Sequence, residues 1–247
     1  MISDILSPII SDIITKIISS ESVLKTSIFW LDAANSDSFD DPIVNNDPVS
    51  QWNDLSGNDN NAIQVTPSYQ PTYVTNGING LPSLDFDGGN DYLETQNMVL
   101  NPANTDFSIF IVVKFHSVPT VTQQTLLQQG DGSGVGRTYL TRFFVPSTIR
   151  SFMGNTTTEG SAIGDATTIY NLNLNAGSLS IYKNGSLDAS NSVTAESATG
   201  VMYIGIHKDL NKYLLKGQIG EIIIFDRALG SSQRQAVEQY LSNKWGI

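Results

Sequence analysis

The stretch Gly217–Ile247 reads G-Q-I-G-E-I-I-I-F-D-R-A-L-G-S-S-Q-R-Q-A-V-E-Q-Y-L-S-N-K-W-G-I. Ile222, Ile223, Ile224 and Phe225 form an unbroken β-branched and aromatic run. Successive strand residues face opposite sides, so both faces of this strand are apolar and both need cover. Asp226 and Gly230 bracket a turn. Ser232 is placed as an N-cap, and Gln235 completes a capping box with it. Ala236, Val237, Tyr240, Leu241 and Trp245 recur at helical spacing and make one apolar face. Gly246 stands where a helix C-terminus takes a glycine. A doubly apolar strand followed at once by an amphipathic helix predicts a helix laid on a sheet.

The chain upstream supplies that sheet. Phe107–Phe115, F-S-I-F-I-V-V-K-F, is the strongest central strand. Ile28–Leu31, Pro71–Val74, Leu84–Phe86, Tyr139–Val145, Ile149–Met153, Ile169–Leu174, Leu179–Tyr182 and Met202–Ile206 also read as strands. Asn76-Gly77, Asn79-Gly80 and Asn184-Gly185 read as turns between them. Many short strands with helices only at the ends predict an all-β antiparallel sandwich. No linker divides the part from Ser27 onward, so 27–247 is expected to be one domain.

Composition narrows the function. At 247 residues the chain can bury a sizeable core. Hydrophobic residues make up 40% and charged residues 15%, the balance of a globular protein. Asp and Glu number 24 against 13 Lys and Arg, a formal charge of -11, so no nucleic acid is expected as a partner. There are no cysteines, which excludes disulfides, thiolate chemistry and Cys-based zinc sites. His116 and His207 have no second histidine at ligand spacing and are read as surface or core residues.

Residues 1–26 are different in kind. Ile5, Ile9, Ile10, Ile13, Ile14, Ile17 and Ile18 line one face of an amphipathic helical pattern, with Ser, Asp, Thr and Lys opposite. Asp4 and Asp12 interrupt the apolar part and no basic residue precedes it, so neither a signal peptide nor a membrane span is expected. An Ile-rich seam favours trimers over dimers, which makes this helix a docking or oligomerisation device. Glu21–Thr26 reads as a polar connector.

From Trp30 on, the chain resembles the concanavalin A-like lectin/glucanase superfamily in its LamG-like form. The residues that carry the resemblance are W-L-D-A at Trp30–Ala33, W-N-D-L-S-G-N at Trp52–Asn58 and Phe86-Asp87-Gly88. Ile181–Gly185, Tyr203-Ile204-Gly205 and G-E-I-I-I-F-D-R-A-L at Gly220–Leu229 continue it. The resemblance implies a two-sheet jelly roll, a rim site for glycan or protein, and in some members a structural calcium. It also implies the company of bacterial surface proteins and phage tail and capsid proteins.

Candidate sites follow from side-chain chemistry. No E-x-D-x-x-E triplet occurs, and no G-x-S-x-G elbow, so catalysis is not expected. Gly130–Arg137 is glycine-rich without the G-K-[ST] ending of a phosphate loop and reads as a rim loop. Asp54, Asn58, Asp59, Asp87 and Asp91 offer oxygen ligands on turns, as calcium requires, although Asx residues also close turns unaided. Tyr69, Tyr73, Arg137, Tyr139 and Asn155 offer aromatic faces and hydrogen-bonding groups for a sugar, with packing as the alternative role. The resulting expectation is a non-enzymatic phage virion protein, a capsid or tail decoration or fibre. It would carry a lectin-like body, require no cofactor, and pair with other virion proteins, itself or host-surface glycans. The alternatives are an exported bacterial carbohydrate-binding module at the cell surface and an atypical glycoside hydrolase.

Overall fold

The structure is a computed structural model that describes residues 19–101, 106–116, 123–130, the backbone of 138–143, 147–198, 200–207 and 212–247. The strands in chain order begin with β1 (Phe29–Asp32), β2 (Gln51–Trp52), β3 (Ala62–Ile63), β4 (Thr72–Ile78), β5 (Leu81–Asp87) and β6 (Leu93–Thr95). Then come β7 (Phe107–Phe115), β8 (Gln123–Gln129), β9 (Thr138–Phe143), β10 (Thr148–Met153) and β11 (Thr156–Ala162). The last are β12 (Thr168–Asn175), β13 (Ser178–Lys183), β14 (Ser186–Ser192), β15 (Met202–Ile204) and β16 (Lys216–Phe225). Helix α1 covers Ser20–Leu24 and α2 covers Ser231–Trp245.

The strands form two eight-stranded antiparallel sheets. The first runs β14-β13-β12-β7-β16-β5-β4, with β1 also paired to β16. The second runs β11-β10-β9-β8-β15-β6-β3-β2. This is the expected all-β sandwich. The expectation of two apolar faces on the closing strand holds as well. Ile222 and Ile224 join Phe29, Trp52, Phe86 and Phe107 in the core between the sheets. Ile223 and Phe225 belong to a second apolar layer with Phe110 and Val112, covered by Val237, Leu241 and Trp245 of α2.

Three local expectations are corrected. The Glu21–Thr26 connector is instead largely the helix α1, N-capped by the Ser19 side chain. Its Val23 and Leu24 are buried in the layer shared with α2, so the packed body includes residues upstream of Ser27. Asn76-Gly77 is not a turn. It lies inside β4, where the register to β5 shifts between Val74 and Ile78, and a Cβ on Gly77 would collide with Ser83. Only Asn79-Gly80 turns the chain, with φ of 49° and 87° at its two residues, both in the left-handed region a tight hairpin needs. Helix α2 starts one residue before the expected cap: Gly230 is its N-cap and makes no side-chain hydrogen bond. Its C-terminal Gly246 is left-handed as expected, at φ 67°.

A buried polar cluster fixes α2 to the sheet. Glu221 is 0% exposed on the helix side of β16. Its Oε1 accepts from Trp30 Nε1 at 2.8 Å and Tyr240 OH at 3.0 Å. Its Oε2 accepts from Lys244 Nζ and Trp245 Nε1, both at 2.8 Å. Lys244 also donates to Asp32 Oδ2 at 2.5 Å. Four donors on one carboxylate satisfy a charge that burial alone would make costly. Burial and the neighbouring Asp32 push the Glu221 carboxyl up, and Lys244 and Trp245 pull it back.

Candidate glycan-binding surface

Met202 and Ile204 of β15 are buried in the inter-sheet core or against it. Alternation therefore turns Tyr203 to the outer face of the second sheet. Cross-strand register extends a row from it: Ile63, Glu94, Tyr203 and Gln128 are successive Cα partners across β3, β6, β15 and β8. Tyr92, two residues before Glu94, stands on the same side, and its ring lies 6.5 Å from that of Tyr203 at 46°. Tyr69 lies 6.0 Å from Tyr92 at 37°. It is placed there by the 3-10 turn Pro67–Tyr69 and by Tyr92 N–H, which donates to Tyr69 O at 3.1 Å. Exposure grades along this ladder, from 5% at Tyr203 to 40% at Tyr69. Tilted phenol rings that lead outward from the buried Tyr203 to the exposed Tyr69, with the Glu94 carboxylate beside them, suit the apolar faces and hydroxyls of a sugar.

Tyr73 and Asn155, expected with Tyr69 for a sugar, take other places in the fold. Tyr73 is on β4, buried, with its ring edge-on to Phe39 at 5.2 Å. Tyr139 occupies a register position opposite Gln128 and Phe152, which continues the row that contains Tyr203. Asn155 is exposed in the turn that joins β10 to β11. Arg137 lies outside the described residues, as do residues 131–136 of the glycine-rich loop and the isoleucines Ile5, Ile9, Ile10, Ile13, Ile14, Ile17 and Ile18. Tyr92, Tyr203 and Gln128 were not expected from sequence. The alternation Met202-Tyr203-Ile204 was the signal for Tyr203, but its partners depend on strand order.

Several of the oxygen ligands expected for calcium accept hydrogen bonds within the fold. Asp54 Oδ1 accepts from Trp30 N at 2.9 Å and Ser56 N at 3.0 Å. Its Oδ2 accepts from Ser56 Oγ and Asn60 N. Asn58 Nδ2 donates to Ile28 O, and Asp59 sits at a left-handed φ of 53°. Asp87 Oδ1 accepts from Gly89 N and Asn90 N in a separate turn. Asp91 Oδ2 accepts from Asp87 N at 2.9 Å. The Asp54, Asp87 and Asp91 carboxylates thus take part in closing turns. Among the described residues no group of three or more His, Cys, Asp or Glu is arranged to hold a metal.

Asp85, Asp87 and Asp91 crowd one end of β5. His116 Nε2 lies 3.0 Å from Asp85 Oδ1, a partner that the sequence did not identify. Burial, with Asp87 and Asp85 adding repulsion, pushes the Asp91 carboxyl up to about 6. Burial likewise raises Asp85, and the His116 charge pulls it back.

The model described as Laminin_G_3, Concanavalin A-like lectin/glucanases superfamily, matches residues 87–233, more than half of the chain. The chain belongs to the concanavalin A-like lectin/glucanases superfamily. No curated protein matches its sequence. Among solved structures, this superfamily member is similar to Trypanosoma rangeli sialidase, at TM-score 0.61 and 15% identity, over 89% of this chain and 33% of that one. It is similar to the binding domain of Paraclostridial Mosquitocidal Protein 1, at 0.62 and 16%, over 90% and 53%. It is also similar to the binding domain of Botulinum neurotoxin serotype D, at 0.62 and 13%, over 90% and 52%. The chain thus spans a third to about half of the structures it matches, and at these identities they establish its lectin-like jelly-roll fold. No helix among the described residues is long and apolar enough to cross a membrane.

Proposed function

We propose that this lectin-like domain binds cell-surface glycans without hydrolysing them, through the tyrosine ladder on the outer face of its second sheet. The observation that supports this is the run Tyr69, Tyr92, Tyr203, three rings in succession beside Glu94. Binding is favoured over hydrolysis because the crowded carboxylates are engaged within the fold. Asp85 faces His116, and Asp87 and Asp91 accept backbone N–H groups. Glycan-array binding by the full chain tests the reading. Tyr69→Ala and Tyr92→Ala should each weaken array binding about tenfold, which corresponds to about 1.4 kcal/mol of lost stacking. An array with no hits would overturn it.

In the finer reading the domain is a decoration or fibre on a phage virion, and the Ile-rich segment 1–18 docks it there or trimerises it. The isoleucine stripe in the sequence supports this, since such a seam needs an apolar partner. A bacterial module at the cell surface is the second reading, favoured by the similarity in fold to the binding domains of a mosquitocidal protein and a neurotoxin.

A further inference from the structure

Residues 46–49 run along the edge strand β4. Asn46 N donates to Tyr73 O, Tyr73 N to Asp47 O and Val49 N to Pro71 O, each at 2.8 Å. The loop before them spans from one sheet edge to the other, since Asn53 N donates to Ser38 O at 2.9 Å beside β2. Two adjoining hollows open under this loop, of about 410 Å³ and 340 Å³. They share Phe39, Asp40, Asp41, Pro42 and Ile43 in their walls. The size is that of a small-ligand cleft.

Tyr73 lines the larger hollow and is only 8% exposed. Its hydroxyl makes no hydrogen bond to a described residue and is not itself fully buried, so a ligand in the hollow can reach it. The walls are also rich in unused acceptors. Asp41 is exposed and accepts no hydrogen bond from a described residue. Asp47 uses only Oδ2, for Val44 N. Asp40 is held in place by Gln51 Nε2 and Asn53 Nδ2, at 3.0 and 2.8 Å. None of the three is ion-paired among the described residues, and they do not converge as metal ligands. A fitting ligand therefore brings several hydrogen-bond donors, carries no negative charge, and has an apolar face for Phe39, Pro42 and Ile43. Three uncompensated carboxylates repel an anionic sugar.

We propose that this cleft is a second saccharide site, selective for neutral or amino sugars and against anionic ones. The proposal rests on the glycan-binding reading above. Hydroxyls or an ammonium group of the sugar would donate to Asp41 and Asp47, and the Tyr73 hydroxyl would bond a sugar hydroxyl.

The test is a glycan array with neutral, amino and sialylated glycans, probed with the full chain and with Tyr73→Phe, Asp41→Asn and Tyr69→Ala. Tyr73→Phe deletes an unpaired hydroxyl and Asp41 is exposed, so both variants should fold, as an unchanged urea midpoint would verify. The expected result is a set of neutral or amino glycans whose binding falls about tenfold in Tyr73→Phe and Asp41→Asn but not in Tyr69→Ala. Hits lost only in Tyr69→Ala would overturn the cleft and leave glycan binding standing. Hits confined to sialylated glycans would do the same. No hits at all would overturn both.

Discussion

Asp91 is 6% exposed, and it accepts the Asp87 N–H while the Asp87 and Asp85 charges press on it. The unfolded chain releases this proton near the ordinary 3.8, while the folded chain holds it up to about 6. Its contribution to stability is therefore full below pH 4 and is lost as pH climbs from 4 through 6, by at most about 3 kcal/mol. Asp91→Asn keeps the acceptor and removes the charge. It should raise the melting temperature at pH 7.5 and change it little at pH 4, which thermal scans at the two pH values would check. Glu221 behaves in the opposite sense on truncation. Glu221→Ala strands two indole N–H groups and a lysine, and should cost about 3–5 kcal/mol in urea unfolding. The residue scale is also where sequence reading met its limit. An aspartate two or three residues before a glycine or serine looks the same whether it ligates an ion or accepts N–H groups in an Asx turn. Asp54 and Asp87 do the second. Tyr69 was legible as an aromatic residue on a loop, but its neighbours Tyr92 and Tyr203 come together only through the pairing of β6 with β15, across more than a hundred residues.

At the scale of elements, α2 depends on one glycine. A Cβ on Gly220 would lie 2.5 Å from the Trp245 ring, which is 0% exposed. The register shift between Ile219 and Glu221 against β7 places Gly220 there. Gly220→Ala should cost about 1–3 kcal/mol, the usual range for overpacking, with the helix displaced from the sheet. A drop in the urea midpoint with a near-ultraviolet change in the tryptophan signal would check it. Elements whose signals are local were legible: β16, β7, the Asn184-Gly185 hairpin and Gly246 all fall where propensity and turn chemistry put them. Asn76-Gly77 misled because a bulge and a turn use the same residues, and only the register to β5 tells them apart. Helix α1 was hidden because five residues of Ser, Glu, Val and Leu carry no periodicity, and their burial depends on α2.

For the molecule as a whole, the question is what the isoleucine seam does. Light scattering at matched concentration, on the full chain and on one that begins at Ser19, should give a trimer and a monomer. Starting at Ser19 keeps Val23 and Leu24, which belong to the packed body. Two monomers would assign the seam to the chain's own sandwich and favour a free-standing binding module. The strand order carries a consequence for how such a body is made. Strand β16 is the last of the sixteen to be synthesised, yet it lies between β7 and β5 and is the partner of β1. The first sheet therefore has a gap in its middle until nearly the whole body has left the ribosome. A nascent chain in that state exposes Ile109, Ile111 and Phe110 along an open edge, and pairing must wait for contacts that span most of the sequence. The first sheet thus cannot close before β16 is made, and a chain interrupted ahead of it lacks the strand that joins the two halves of that sheet.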